Sequence, residues 1–189
     1  MKIAIISDTH DNLANLKKAI SFINKERIKI LIHCGDIFKP ETLREGLKGY
    51  QGKIYIIFSK ADASFSEIPE DSFENLPRVK IYEEFGEIKI NKRKIAFCHF
   101  PEIAKGLAKS QKHGLVFYGH THKPWEETPH QSPEGEQVPY GAGKHGTGQE
   151  IGKTRLVNPG NLAGIFYKPT FAIYDTKTDK LQLKILEKL

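Results

Sequence analysis

The chain has 189 residues, 39% hydrophobic and 28% charged, the composition of a globular protein of about one domain. No apolar run approaches the ~20 residues a membrane span requires, and the short run after Met1 meets Asp8 at once, so it reads as a first strand of a cytoplasmic protein and not as a signal peptide. The net charge of +6 favours an anionic substrate, but the lysines are dispersed without aromatic–basic clustering, which counts against nucleic acid as a partner.

Ile3 to Ile6 is the first predicted strand. Asp11 or Asn12 can cap a following helix, whose Leu13, Leu16, Ala19, Ile20 and Ile23 share one face at helical spacing. Ile28 to Cys34 is the second strand, Glu41 to Lys48 a helix with Pro40 in its first turn, and Lys53 to Phe58 the third strand. This alternation predicts a parallel sheet with helices on its faces. Gly86 to Ile90 and Lys94 to His99 flank Asn91-Lys92-Arg93 as a hairpin. Pro101 to Lys112 reads as a helix with Ile103, Leu107 and Ala108 inward. Leu115 to Tyr118, Thr154 to Asn158, Thr170 to Asp175 and Lys180 to Leu186 read as strands. Trp125 to Lys153, rich in Gly, Pro, Glu and Gln, reads as a surface insertion in a single domain spanning 1–189. Cys34 and Cys98 fall in predicted strand ends and read as reduced core residues.

The chemistry lies after the strands. The first is followed by Asp8-Thr9-His10 and the second by Gly35-Asp36; later ones end in His99 and in Gly119-His120-Thr121-His122. In an open α/β sheet the carboxyl ends of the strands form the ligand site, so these groups meet at one edge. Carboxylates with imidazoles suit Mn, Fe or Zn. In Asp8-x-His10 alternate residues off a strand end turn the same way and can share one ion. His120-x-His122 can do likewise or serve two adjacent ions, and the two oxygens of Asp36 can bridge a pair. Other histidines have plainer readings. His33 reads as a structural hydrogen-bonder, His113 as solvated after a polar helix, and His130 and His145 as residues of the insertion without a role. Trp125 either stacks on a base or pins the loop, and Lys123 and Arg155 are candidates to meet a phosphate.

The ordered set Asp8-x-His10, Gly35-Asp36, His99 and Gly119-His120-x-His122 resembles the calcineurin-like metallophosphoesterases, most nearly their small single-domain phosphodiesterase branch. Asn158-Pro159-Gly160-Asn161 looks like that branch's late turn motif. The resemblance implies an α/β fold, a four-layer α/β/β/α sandwich of two mixed sheets flanked by helices. It implies that Asp8, His10 and His122 bind a first metal, that His99 and His120 bind a second, and that Asp36 bridges. One or two divalent ions are expected, manganese first and nickel, iron or zinc as alternatives. A metal-activated water would attack a small or nucleotide-like phosphodiester. No membrane partner is expected, and a homo-oligomer is left open.

One stretch departs from that pattern. Ser59-Lys60-Ala61-Asp62 stands where the family has Gly-Asn-x-Asp, placing Lys60 at the asparagine that binds the second metal. A protonated lysine has three donors and no acceptor. Either its ammonium supplies the second metal's charge, or it swings away, or it binds deprotonated; the first is favoured. Ala61 removes a histidine that larger members use as general acid, which favours a good leaving group. Asp62 matches and would orient a ligand. The catalytic residues expected are thus Asp36, His99, Lys60 and Asp62. The alternative reading is a catalytically degenerate member that serves as a protein-binding scaffold, the use made of this fold by the retromer subunit.

Overall fold

The computed structural model describes residues 1–58, 78–127 and 153–189, with the backbone alone of 125–127. Strand alternation sets its layers. In β1 (Lys2–Ile6), Ile3 and Ile5 point to one side and Ala4 and Ile6 to the other, and all four are buried. A strand buried on both faces belongs in the middle of a sandwich.

The elements are β1, α1 (Leu13–Lys25), β2 (Ile30–His33), α2 (Pro40–Leu47), β3 (Lys53–Ile57), β4 (Val79–Tyr82), β5 (Phe85–Ile90), β6 (Arg93–Cys98), α3 (Pro101–Lys109), β7 (Leu115–Phe117), β8 (Trp125–Glu127), β9 (Arg155–Asn158), β10 (Thr170–Asp175) and β11 (Lys180–Ile185), then a 3₁₀ turn Leu186–Lys188. They form two mixed sheets, of order β11-β10-β1-β2-β3-β4 and β5-β6-β7-β9-β8. In the first, β1 to β4 run parallel and β10 lies antiparallel to β1, with Lys2 opposite Asp175. In the second, β6, β7 and β9 are parallel.

Three cores separate four layers. Ala4, Ile6, Leu31, Ile54 and Ile56 face Leu16, Ala19, Ile20, Ile23, Leu43 and Leu47 of α1 and α2. Ile3, Ile5, Ile32 and Tyr174 meet Ile95, Phe97, Leu115, Phe117 and Val157 between the sheets. Ala96, Cys98, Val116 and Leu156 pack on Ala104 and Ala108 of α3. This is the α/β/β/α arrangement the resemblance implies. Both cysteines are buried and free, as expected. Among the described residues no helix is long and apolar enough to cross a membrane.

The differences from the sequence reading are local. Asn12 is the helix cap, its Oδ1 accepting from Asn15 N–H at 3.1 Å, while Asp11 accepts from Lys39 N–H at 2.9 Å. α3 ends at Lys109, three residues early, and Gln111 turns left-handed at φ 56. Two strands were not expected. β4 is a four-residue edge strand with Ile81 partly exposed, so it presents no buried run. β8 contains two glutamates, residues disfavoured in strands, yet pairs with β9. The start of the expected insertion is therefore part of the second sheet, and its remainder, 128–152, lies outside the described residues.

Candidate metal centre

Two parallel strand pairs, β1–β2 and β6–β7, one from each sheet, release their chains toward a common rim. Backbone hydrogen bonds tie the exits together. Asp8 N–H donates to the Gly35 carbonyl at 3.0 Å, Thr9 N–H to the Asp36 carbonyl at 2.9 Å, and Gly119 N–H to the His99 carbonyl at 3.0 Å. The exits are also tied across the two sheets: the backbone N–H of His120 donates to both Asp8 oxygens, at 3.0 and 3.3 Å.

The side chains converge by a route that spacing did not reveal. Asp8, His10, Asp36, His120 and His122 have φ values of 50, 42, 61, 70 and 59°. All are in the left-handed region, which costs an L-residue about 1 kcal/mol or more. The Asp8-x-His10 pair is thus aimed by left-handed turns, not by strand alternation. Such a run of unfavourable dihedrals at one rim marks a functional site.

Ligand atoms from Asp8, His10, Asp36 and His122 all lie within 4.8 Å of one another. His10 Nε2 is 2.8 Å from Asp36 Oδ2 and 3.1 Å from His122 Nε2, which is 3.4 Å from Asp8 Oδ1. Asp8 is fully buried. The donor set fits a divalent cation. Two ring nitrogens and two carboxylates turned on one point satisfy each other poorly as hydrogen-bond partners. Two nitrogens about 2.1 Å from one ion and at right angles are about 3 Å apart. Burial pushes the Asp36 carboxyl up, but the His10 hydrogen bond and the charges of His10, His99 and His122 outweigh it and hold it low. His122 is pushed up, first by its hydrogen bond with Asp8 and against its own burial.

His99 and His120 form the neighbouring pair, edge to face with ring centroids 5.2 Å apart. His99 is buried, and its Nδ1–H donates to the Cys34 carbonyl at 2.9 Å. A neutral ring so bonded offers Nε2 as its lone-pair nitrogen, the usual way a ligand histidine is oriented. Two glycines make room beneath these groups. A Cβ on Gly35, at φ +101, would stand 2.9 Å from His99 Nδ1. One on Gly119 would stand 2.1 Å from Ser7 Oγ and 2.8 Å from Asp8 Oδ2.

The late turn has a mechanical explanation that its sequence did not give. Asn158 Nδ2 donates to the Gly119 carbonyl at 2.9 Å and to Thr121 Oγ1 at 3.0 Å. Asn161 Nδ2 donates to the His122 carbonyl at 3.1 Å, and its Oδ1 accepts from Gly164 and Ile165 N–H at 2.6 and 3.1 Å. The two asparagines brace both ends of the histidine loop. Asn161→Ala is expected to lower stability by about 1–3 kcal/mol, because Asn161 is fully buried and its partners lose their bonds. Metal affinity should drop roughly 10–100-fold, checked by urea titration and by calorimetry with Mn²⁺.

His33 is structural, as read. Gly35 N–H donates to its Nδ1 at 3.1 Å, so its Nε2–H faces Thr9 Oγ1 at 3.3 Å. Burial pushes it down to about 4, and it stays neutral. His113 corrects the expectation of a solvated ring: it is buried, with Nε2 2.5 Å from Glu87 Oε1. Arg155 lies away from the cluster, bonded to Asp179 at 3.0 Å. Lys60, Ala61, Asp62, His130 and His145 lie outside the described residues.

The model of the calcineurin-like phosphoesterase superfamily domain matches residues 1–179. The chain belongs to the calcineurin-like phosphoesterase superfamily. It is 28% identical to a phosphodiesterase of Methanocaldococcus jannaschii over 190 residues, covering 99% of this chain and 100% of that protein. Among solved structures it is similar to an archaeal phosphodiesterase, with a TM-score of 0.74 and 25% identity over 98% of this chain and 99% of the other. Two others show the shared fold. Vps29 of Entamoeba histolytica in complex with zinc has a TM-score of 0.59 at 17% identity, over 97% and 90% of the chains. The YfcE phosphoesterase of E. coli has 0.57 at 14%, over 98% and 100%. The two phosphodiesterases, each matched over nearly its whole length, support the small single-domain branch of the superfamily. The chain is accordingly a metallophosphoesterase, a class that works with divalent cations.

Proposed function

We propose that this metallophosphoesterase is a phosphodiesterase that hydrolyses a small or nucleotide-like phosphodiester, with manganese the preferred cation. The observation that carries the reading is the convergence of Asp8, His10, Asp36 and His122 on one point. Asp8, His10 and His122 would hold the first cation, and His99 and His120 would be donors of a second site that Lys60 leaves empty or weakly filled. Asp36 lies against His10 and within the electrostatic reach of His99, a position suited to serving both. Divalent cations bound there polarise phosphoryl oxygens and make water a competent nucleophile.

The chain's own residues do the rest. The Cys34 carbonyl fixes the His99 tautomer, and the His120 N–H orients Asp8. Lys60 would place an ammonium where the family's asparagine binds the second cation, adding positive charge toward the phosphate. Asp62 would orient a neighbouring ligand. Ala61 cannot give a proton as the histidine of larger members does, which favours a good leaving group.

Elemental analysis and hydrolysis of bis(p-nitrophenyl) phosphate with and without Mn²⁺ test this reading. Turnover that ignores both added metal and chelator would end it. Lys60→Asn should raise metal content from about one ion per chain toward two, because an ammonium ~4 Å from a dication is repelled by several kcal/mol. Unchanged stoichiometry would remove Lys60 from the account.

A further inference from the structure

Two phenylalanines flank the clustered imidazoles, and neither contributes to a core. Phe166 is 89% exposed, with its ring centroid 6.0 Å from that of His122. Phe38 is 41% exposed and stands edge to face on His10 at 4.7 Å. His10 and His122 are themselves 4.9 Å apart, so the two phenylalanines border one imidazole pair.

Both have left-handed backbones, φ 64° at Phe166 and 72° at Phe38. For bulky residues this is a true outlier. At Phe166 the cause is visible. Tyr167 N–H donates to the Ile165 carbonyl at 2.8 Å, closing a three-residue turn with Phe166 at its apex. A γ-turn with positive φ is rare and strained. Asn161 holds its base through Gly164 and Ile165 N–H. Glycine would occupy the apex without strain, and a polar residue would suit its exposure. A large apolar ring there opposes both backbone preference and solvation, at the mouth of the site.

We propose that Phe166 and Phe38 form a platform that stacks a planar aromatic group carried by the phosphate ester. This rests on the phosphodiesterase reading and narrows it to esters that bear a planar ring, aryl or nucleoside, over those that bear none. A phenyl ring offers a π-face and no hydrogen-bonding group, so it recognises flatness and tolerates any base. Its place beside His122 and His10 puts the stacked group next to the phosphate those residues would serve.

The test is calorimetric titration of the Mn²⁺-loaded protein with phenylphosphonate, thymidine 5′-phosphate and methylphosphonate. Wild type should bind phenylphosphonate about tenfold more tightly than methylphosphonate, the lower range of what an aromatic stack contributes. Phe166→Gly and Phe38→Ala should each shrink that ratio to about threefold or less. If the nucleotide shows the larger preference and loses it in the variants, a base is the occupant; if only the phenyl ligand does, a simple aryl group is. Equal ratios in wild type and variants would overturn the platform. Melting is the second readout: relief of strain at an exposed position should leave Phe166→Gly unchanged or raised by about 1–3 °C. A clear fall in Tm would make the ring structural and overturn the proposal. A wild-type mass that doubles with concentration and is halved by Phe166→Gly would also overturn it, by giving the ring to a second copy. Absence of diester turnover in the wild type would sink the phosphodiesterase reading alone, since the affinity ratios are read without turnover.

Discussion

Replacing His122 with alanine is expected to reduce Mn²⁺-dependent hydrolysis of an activated aryl phosphodiester by about 10³-fold or more, since the cation's charge stabilisation is worth several kcal/mol. His122 supplies one of only two nitrogen donors in the four-residue cluster, and it is locked to Asp8. Its loss leaves His10 with the two carboxylates, an incomplete set for a borderline cation. The metal-dependent part of stability should fall with it. A cation at 100 times its Kd stabilises the wild type by about 2.7 kcal/mol, or roughly 5–10 °C in a chain of this size. The variant should show less than about half that rise, whereas the metal-free proteins should melt close together. Scanning calorimetry with and without Mn²⁺ checks this. Full activity in the variant would remove His122 from the centre.

Gly119→Ala is expected to cost about 1–3 kcal/mol and on the order of 10²-fold in activity. The added methyl meets a fully buried Ser7 hydroxyl at 2.1 Å and the Asp8 carboxylate at 2.8 Å, in a loop whose carbonyl is fixed by Asn158. The two obstacles separate by experiment. Among the described residues Ser7 Oγ has no hydrogen-bond partner, so Ser7→Ala alone should be mild. Combined with Gly119→Ala it should restore much of the stability and little of the activity, because Asp8 is still displaced. Urea denaturation and kcat/KM on the three variants decide the point. Equal recovery of both would show that the Asp8 contact is harmless.

Much of the fold was legible because buried strands here are apolar on both faces and end in unmistakable residues. Asp8, Gly35-Asp36, His99 and Gly119-His120-x-His122 each announce a strand exit. Periodicity fails at the edge strands β4 and β8, though not at β5 and β11, which also lie at sheet edges. Trp125-Glu126-Glu127 pairs with β9 despite its charges, and Val79–Tyr82 joins β3 while half exposed. The mutual approach of Asp8, His10, Asp36 and His122 was expected, but its cause was not, since left-handed dihedrals at aspartate and histidine leave no trace in composition. Nor could spacing show that a pair of distant asparagines braces the histidine loop, or that His113 finds a buried acid-bonded position through Glu87. Those depend on which strands become neighbours.

The placement of β10 beside β1 has a consequence for biosynthesis. β1 is interior to its sheet, but one of its flanks stays open until residues 170–175 arrive to cover it. A ribosome-bound intermediate therefore carries an apolar, hydrogen-bond-hungry edge while the more than 160 residues between β1 and β10 are made, the kind of surface that recruits chaperones or other nascent copies. Stop codons upstream of residue 170 should yield insoluble fragments rather than weakened enzymes, which makes the production of this protein nearly all-or-none.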